Sequence, residues 1–225
     1  MAGSKALTAS IALYSLPLFP LGTVLFPGGT LPLRIFEVRY LDMIAKCHKT
    51  GAPFGVVALT QGSEVRKPDD GAPGGDGFAP EAFQTVGTLA TITEFAHPQS
   101  GLITIRCTGT QRFHMDSHEK LKHGLWIANV SRLADDQVVE IPVDLRGVAT
   151  ALARLIDSLL ARAVPAQQMP VRPPYRFDDC GWVANRWCEL LPMPLTQKQG
   201  LMTLDNPLVR LELVGDLLER SGIAS

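Results

Sequence analysis

The stretch LPLFPLGTVLFPGGTLPLRIFEVRYLDMI, residues 16–44, combines many apolar residues with interspersed prolines and glycines. Its first half is dense in apolar residues but is broken by prolines and by the pair Gly28-Gly29, so it predicts short strands rather than one long helix. Proline has no N–H to give to a sheet, so strands containing Pro17 or Pro32 are expected to lie at a sheet edge or to bend at the ring. Gly28 and Gly29 predict a turn between the two strands, because glycine accepts a positive φ.

The apolar period changes at Glu37. From there apolar residues recur every three or four positions, which predicts a helix ending near Gly51. Alternating or continuous apolar runs predict further strands at residues 54–59, 86–98, 102–115 and 125–133, with a hairpin turn at 99–101. Residues 62–84 are rich in glycine, proline and charge, and predict a long loop.

Helical spacing dominates after Pro142. Residues 145–160 predict a long amphipathic helix, and the proline-rich residues 170–177 predict a semi-rigid connector between it and a second helix. Three further helix starts are indicated by capping residues: Asp178 or Asp179, then Thr196, then Asp205 or Asn206 before Pro207. Strands followed by helices indicate an α+β protein. We expect a flexible leader at residues 1–13, a β-rich domain at 14–138 and an α-helical bundle at 139–225.

Composition narrows the function classes. The chain has 225 residues with 21 basic and 22 acidic side chains, so no broad positive field attracts nucleic acid or anionic lipid. The 4 cysteines are scattered and form no CxxC pair, which favours a reducing compartment and a cytoplasmic location. No apolar run approaches the ~20 uninterrupted residues of a membrane-spanning helix. The apolar run after Lys5 is interrupted by serines, threonines and prolines, and is not expected to be a secretory signal.

Several segments, in order, resemble the Lon protease N-terminal domain family. They are the opening stretch, FGVV (54–57), VGTLATI (86–92), GTQRF (109–113) and LPMPLTQKQGLMTLDNPLVRLELV (191–214). The resemblance implies an N-terminal PUA-like domain, a twisted β pseudo-barrel, followed by an α-helical bundle; cereblon carries a related domain. In full-length Lon proteases this region precedes an ATPase module and a serine-lysine peptidase, and takes part in substrate recognition and in assembly.

The chain departs from a complete Lon protease. It contains no GxxxxGK[ST] phosphate loop, and the glycine-rich residues 71–77 lack the lysine and the hydroxyl residue of such a loop. It also has no segment long enough for an ATPase or a peptidase domain. We therefore expect a stand-alone, noncatalytic relative without a cofactor.

Candidate metal and nucleophile sites are weak. His114 and His118 stand four apart near Asp116 and Glu119, but they follow a predicted strand and lack the HExxH pattern, so a solvated loop is favoured over a metal site. Cys47 is expected to be buried, since the side chains of neighbouring residues on a helix diverge and would separate it from His48.

The candidate protein-binding surface lies in the opening stretch. It consists of Phe26, Arg34, Phe36, Arg39 and Tyr40. Its aromatic members are more often core residues than contact residues. Glu37, which lies between them in the sequence, is expected to form an ion pair or to cap the helix. The expected partners are unfolded or hydrophobic segments of other proteins, with a protease or a chaperone as a further candidate. The alternative is an RNA- or nucleotide-binding PUA-like protein, which the near-neutral charge disfavours.

Overall fold

The computed structural model describes residues 12–69 and 77–223. Residues 1–11 of the predicted leader and most of the glycine-rich segment 71–77 lie outside the described residues. The strands are β1 (Ala12–Leu21), β2 (Thr30–Ile35), β3 (Phe54–Gln61), β4 (Ala82–Phe83), β5 (Val86–Gln99), β6 (Leu102–Lys120) and β7 (Trp126–Arg132). The α-helices are α1 (Val38–Thr50), α2 (Arg146–Ala161), α3 (Cys180–Leu190), α4 (Leu195–Thr203) and α5 (Pro207–Arg220).

The sheet closes on itself. Strands β1, β7, β6, β5 and β3 pair in that order, and a parallel pairing of β3 with β1 completes the ring. The remaining pairings in the ring are antiparallel. β2 pairs with β6, and β4 pairs with β3 outside the ring. A mostly antiparallel pseudo-barrel followed by helices confirms the predicted α+β class.

The prolines occupy places where the sheet tolerates them. β1 pairs with β7 from Ala12 to Pro17 and then with β3 from Leu18 to Leu21, so each half of this strand has one paired side. Proline can sit in such a strand, because its missing N–H can face the unpaired side. Pro32 lies in β2, which is an edge strand as the sequence predicted.

Helix ends follow the predicted capping chemistry, with one exception. Gly51 ends α1 with φ of 68°. Asp179 accepts a hydrogen bond from the Gly181 N–H at the start of α3, and Asn206 caps α5 ahead of Pro207. The prediction for Thr196 is wrong: α4 begins at Leu195 after Pro194, which places Thr196 inside the first turn.

Apolar residues form separate clusters in the barrel and among the helices. One barrel cluster includes Phe19, Tyr40 and Phe54, and the helical cluster includes Leu152, Trp187 and Leu211. β7 ends at Arg132 and the first helical turn begins at Val143. The division into two domains near residue 138 stays a prediction, and it is compatible with this interval.

A partly exposed carboxylate, paired with two buried arginines, joins the barrel to the helices. Asp136, in the segment after β7, receives the guanidinium of Arg112 from β6 at 3.3 Å and makes an ion pair with Arg210 from α5. Both arginines are almost completely buried. Each also donates to backbone carbonyls near the end of α4: Arg112 to Met202 at 3.0 Å, and Arg210 to Leu201 at 3.0 Å.

The turn that contains Gly28 and Gly29 forms a second junction. Gly28 adopts a φ of 76°, as predicted, and a Cβ on Gly29 would lie 1.8 Å from the carboxylate of Glu189 on α3. Arg186 of the same helix donates to the Pro27 carbonyl at 2.9 Å and pairs with Glu189 at 3.0 Å. Glycine suits this turn because Gly28 has a positive φ and because a side chain at Gly29 would displace Glu189 of α3.

The connector at residues 170–177 also contacts the barrel. Arg172 pairs with Glu94 of β5 at 2.8 Å, and Glu94 also pairs with Arg106 of β6 at 3.2 Å. At its end, Tyr175 and Phe177 pack against Trp182 of α3. The connector thus adds a third link between barrel and helices.

The Asp136→Asn variant should unfold more easily. The amide removes the negative charge shared by Arg112 and Arg210 and leaves buried guanidiniums incompletely neutralised, so the free energy of unfolding should fall by about 3 kcal/mol. Urea denaturation measures the loss. The neighbouring Asp135 is exposed, and Asp135→Asn should change stability by less than about 0.5 kcal/mol. Equal effects of the two substitutions would contradict the role of Asp136.

The Glu189→Gln variant should lose a pH dependence of stability. Burial at the junction raises the pKa of Glu189 from 4.5 to about 7, although Arg186 and the Phe26 N–H partly offset this. Between these values the folded state holds a proton that the unfolded state has released. The free energy of unfolding should therefore fall as pH rises from about 4.5 to about 7.

Urea denaturation across that pH window tests the effect. Glu189→Gln should show a shallower decline than the wild type, whereas Glu219→Gln, at an exposed position on α5, should keep the wild-type slope. An unchanged slope for Glu189→Gln would show that the carboxylate titrates normally.

Candidate functional site

A groove lies beside the free edge of β2, and we call it the β2 groove. Its volume is about 260 Å³. It is lined by Phe19 and Leu21 from β1, residues 32–37 from β2 and the junction that follows it, Tyr40 from α1, and Glu64 and Val65 from the loop after β3. Small-molecule sites usually occupy ~300–1,000 Å³, so the groove is suited to a few side chains rather than to a cofactor.

Exposed apolar side chains lie in and beside the β2 groove. Phe36 is 55% exposed and Val65 is 47% exposed, and both line it. Val38, in the first turn of α1, is 79% exposed. Exposed apolar residues that cluster are typical of interaction surfaces, whereas single ones are common on any protein.

The backbone of β2 leaves one edge open. The Gly109 N–H donates to the Gly29 carbonyl at 2.8 Å, so the backbone of Gly29 faces β6. Backbone groups alternate in direction along a strand, so the odd-numbered residues of β2 also face β6 and the even-numbered residues face away. The outward-facing residues are Thr30, Pro32 and Arg34. Among the described residues, β2 pairs with β6 alone.

A buried ionic network holds the junction after β2. Arg39 pairs with Glu37 at 3.1 Å and with Glu81 at 2.9 Å, and Trp126 donates to Glu81 at 2.9 Å. Burial alone would raise the pKa of Glu81, but the hydrogen bonds from Arg39 and Trp126 lower it below its ordinary value. The network fixes the start of α1, and with it the direction in which Phe36 leaves β2.

Tyr40 forms a rigid wall of the groove. Its ring stacks on Phe19 at 4.1 Å between centroids, and the Arg39 guanidinium lies 4.5 Å from the ring centroid. Burial raises the pKa of the hydroxyl well above its ordinary value. This hydroxyl has no hydrogen-bond partner among residues 12–69 and 77–223.

The five residues of the predicted binding surface do not all lie at the groove. Arg34 and Phe36 are exposed at the groove, and Tyr40 lines it from a buried position. Phe26 is completely buried against the helical cluster, and Arg39 is buried in its ion pairs, so the prediction that these two form a binding surface is wrong. Glu37 forms the expected ion pair and makes no side-chain cap.

Sequence reasoning missed the contribution of the loop after β3. Val65 and Glu64 come from a segment whose composition predicts only a long loop, and they reach the groove because the Glu64 carboxylate accepts the Gly22 N–H at 2.7 Å. No sequence pattern connects these positions. Arg34, by contrast, belongs to the predicted binding surface, and it is exposed at the groove.

The histidines and cysteines carry no recognisable catalytic or metal-binding arrangement in the described parts of the chain. No three His, Cys, Asp or Glu side chains there converge as metal ligands. The prediction that His114 and His118 lie in a loop is wrong, because both belong to β6. His114 lies 3.3 Å from Asp116, whereas His118 packs against Phe83 and Trp126. All 4 cysteines are free and buried, and burial raises the pKa of Cys107 and Cys188 to about 12.

Other cavities lie against the helices. Three have volumes of about 410 to 510 Å³ and are lined mainly by residues of α2, α3, α5 and the segments around them. They are larger than the β2 groove, but none is bordered by the open edge of β2. Across the described residues, no helix has the length and apolar character needed to cross a membrane.

Known proteins resemble the chain over most of its length. It is 26% identical over 211 residues to a Lon protease of Anaeromyxobacter dehalogenans and 25% identical over 213 residues to Lon protease 2 of Myxococcus xanthus. Each match covers 91% of this chain but 23% of the relative. The chain therefore spans about a quarter of the length of these curated relatives.

Solved structures agree in fold. A Lon N-terminal domain protein from Xanthomonas campestris is 31% identical, with a TM-score of 0.65 over 90% of this chain and 97% of that one. The N-terminal domain of a Mycobacterium avium complex Lon protease shares the fold at 14% identity, with a TM-score of 0.53 over 90% of this chain and 96% of that one. The family model of the ATP-dependent protease La (LON) substrate-binding domain matches residues 15–220. The chain therefore belongs to the family of Lon substrate-binding domains.

Proposed function

We propose that the chain binds unstructured or hydrophobic segments of other proteins in the β2 groove, and that it acts without catalysis as an adaptor or regulator of proteolysis. The observation that carries this proposal is the presence of exposed Phe36 and Val65 in a groove beside an open strand edge. Unfolded chains offer the two groups that such a site needs, apolar side chains and unpaired backbone.

Membership of the family supports a role in recognising protein substrates. The match covers only the substrate-binding region of much longer proteases. A protease or a chaperone is therefore a suitable second partner, to which the bound segment would be delivered. We further propose a cytoplasmic location, in keeping with the 4 free cysteines.

The expected affinity is modest. Burying one large apolar side chain contributes about 1.5–3 kcal/mol, and the groove has room for few of them. Ordering an unfolded segment costs part of that gain. Weak binding of many sequences suits a recognition module that must release its substrates.

The Phe36→Ser variant should bind an unfolded protein more weakly. We expect the dissociation constant for a fluorescently labelled, reduced and carboxymethylated protein to rise about tenfold, the loss expected for one apolar contact. Fluorescence anisotropy measures it. Leu160→Ser is the matched control, because Leu160 on α2 is 51% exposed, close to the 55% of Phe36. Binding that is absent in the wild type, or equal in wild type and Phe36→Ser, would refute the proposed site.

A further inference from the structure

We propose that the β2 groove takes an extended polypeptide segment as an added strand on the outer edge of β2, and that it selects segments carrying an acidic residue that pairs with Arg34. This inference rests on the proposed function and specifies its substrate class. It comes from three features of the groove: the direction of the β2 backbone, the side chains along the groove, and the charges around it.

The outer edge of β2 can form backbone hydrogen bonds with an added strand, except that one N–H donor is missing. Thr30 and Arg34 each direct an N–H and a C=O outward, whereas Pro32 between them directs only a carbonyl, following the alternation set by the bond from Gly109 to Gly29. An added strand can therefore form hydrogen bonds with Thr30 and Arg34 at the two ends of β2. Between them, Pro32 offers it no N–H donor.

The side chains along the groove suit a segment with apolar residues at alternate positions. An added strand turns every second side chain to the same face. On one face these would meet Phe36, Tyr40 and Val65, which line the groove. The limited volume of about 260 Å³ allows side chains to enter but excludes a folded element such as a helix, whose diameter is about 10 Å.

Within the described parts of the chain, one cation that lines the groove has no partner. Arg34 is exposed and makes no hydrogen bond or ion pair with any described residue. Two acids line the same groove, and neither pairs with Arg34: Glu37 pairs with Arg39, and Glu64 accepts the Gly22 N–H. A carboxylate on the incoming segment would therefore complement Arg34, whereas a lysine there would be repelled.

A second copy of the chain is a poorer occupant. β2 reads TLPLRI and contains no acidic residue, so pairing two β2 edges would leave both arginines without a carboxylate. It would also bring two prolines into one short ladder.

Short labelled peptides test the proposal with the full chain. One peptide alternates apolar and polar residues around a central glutamate, a second replaces the glutamate with lysine, and a third carries N-methyl groups at alternate backbone positions of the first. By fluorescence anisotropy the glutamate peptide should bind about two- to fivefold tighter than the lysine peptide, the range for an exposed ion pair. N-methylation should weaken binding about tenfold, since it removes backbone donors.

The Arg34→Glu variant should reverse the preference between the glutamate and lysine peptides. Arg162→Glu makes the same charge change at an exposed position at the end of α2, and should leave the preference unchanged. A preference that survives Arg34→Glu would refute the pairing with Arg34.

The outcomes separate this inference from the function on which it rests. If all three peptides bind alike and Phe36→Ser weakens each of them, the groove binds apolar segments but strand addition is wrong. If none binds the wild type and Phe36→Ser has no effect on unfolded protein, the proposed function fails as well. A wild-type dimer in sedimentation that Arg34→Glu dissociates would show that a second copy occupies the edge, and would overturn the inference.

Discussion

The carboxylate of Asp136 is the interaction on which the two halves of the molecule depend. It lies between Arg112 of the barrel and Arg210 of the last helix, both almost completely buried. Guanidinium groups removed from water are costly unless each is neutralised and hydrogen-bonded, and here one acid contributes to neutralising both. If the barrel and the helices separated, Arg112 and Arg210 would each lose partners, and the residues left around each arginine would neutralise it only in part. This explains why a short segment between strands and helices, without regular structure of its own, fixes their relative position.

That arrangement in turn shapes the β2 groove. With the helices held on the barrel, Arg186 and Glu189 of α3 contact the turn at Gly28-Gly29. This turn directly precedes β2 and so fixes the start of the strand. At the other end of β2, Arg39 and Glu81 fix the start of α1. Because ion pairs hold the structure at both ends of β2, the strand keeps its position while one of its edges stays unpaired. The position of the groove therefore depends on these two junctions.

Local sequence patterns were sufficient to predict helices and strands, but they did not predict which residues form the β2 groove. Apolar spacing located α1, and Gly51 and Asn206 marked helix ends, because these signals act within a few residues. The prediction that Thr196 caps α4 was wrong because the helix begins one residue earlier, at Leu195, directly after Pro194. Phe26 and Arg34 look alike as members of one apolar stretch interrupted by charge, yet one is buried by α3 and the other is exposed. Their difference is set by contacts more than a hundred residues away in the chain, which no local pattern records. The resemblance to Lon N-terminal domains correctly identified the fold, but it did not identify which face stays open.

The residues that protect the edge of β2 can also make it selective. Proline and a charged residue on an edge strand are common means of preventing soluble proteins from pairing edge to edge. Pro32 and Arg34 occupy the outward-facing positions where both effects are strongest. An edge protected in this way resists association with neutral or basic strands, since each leaves Arg34 unpaired and gains an incomplete ladder. A segment that brings its own carboxylate removes the first of these costs and leaves only the missing donor of Pro32. In the proposed mode of binding, the same two side chains protect the edge from unwanted pairing and favour one chemical class of partner, so protection and recognition need not be separate features of this surface.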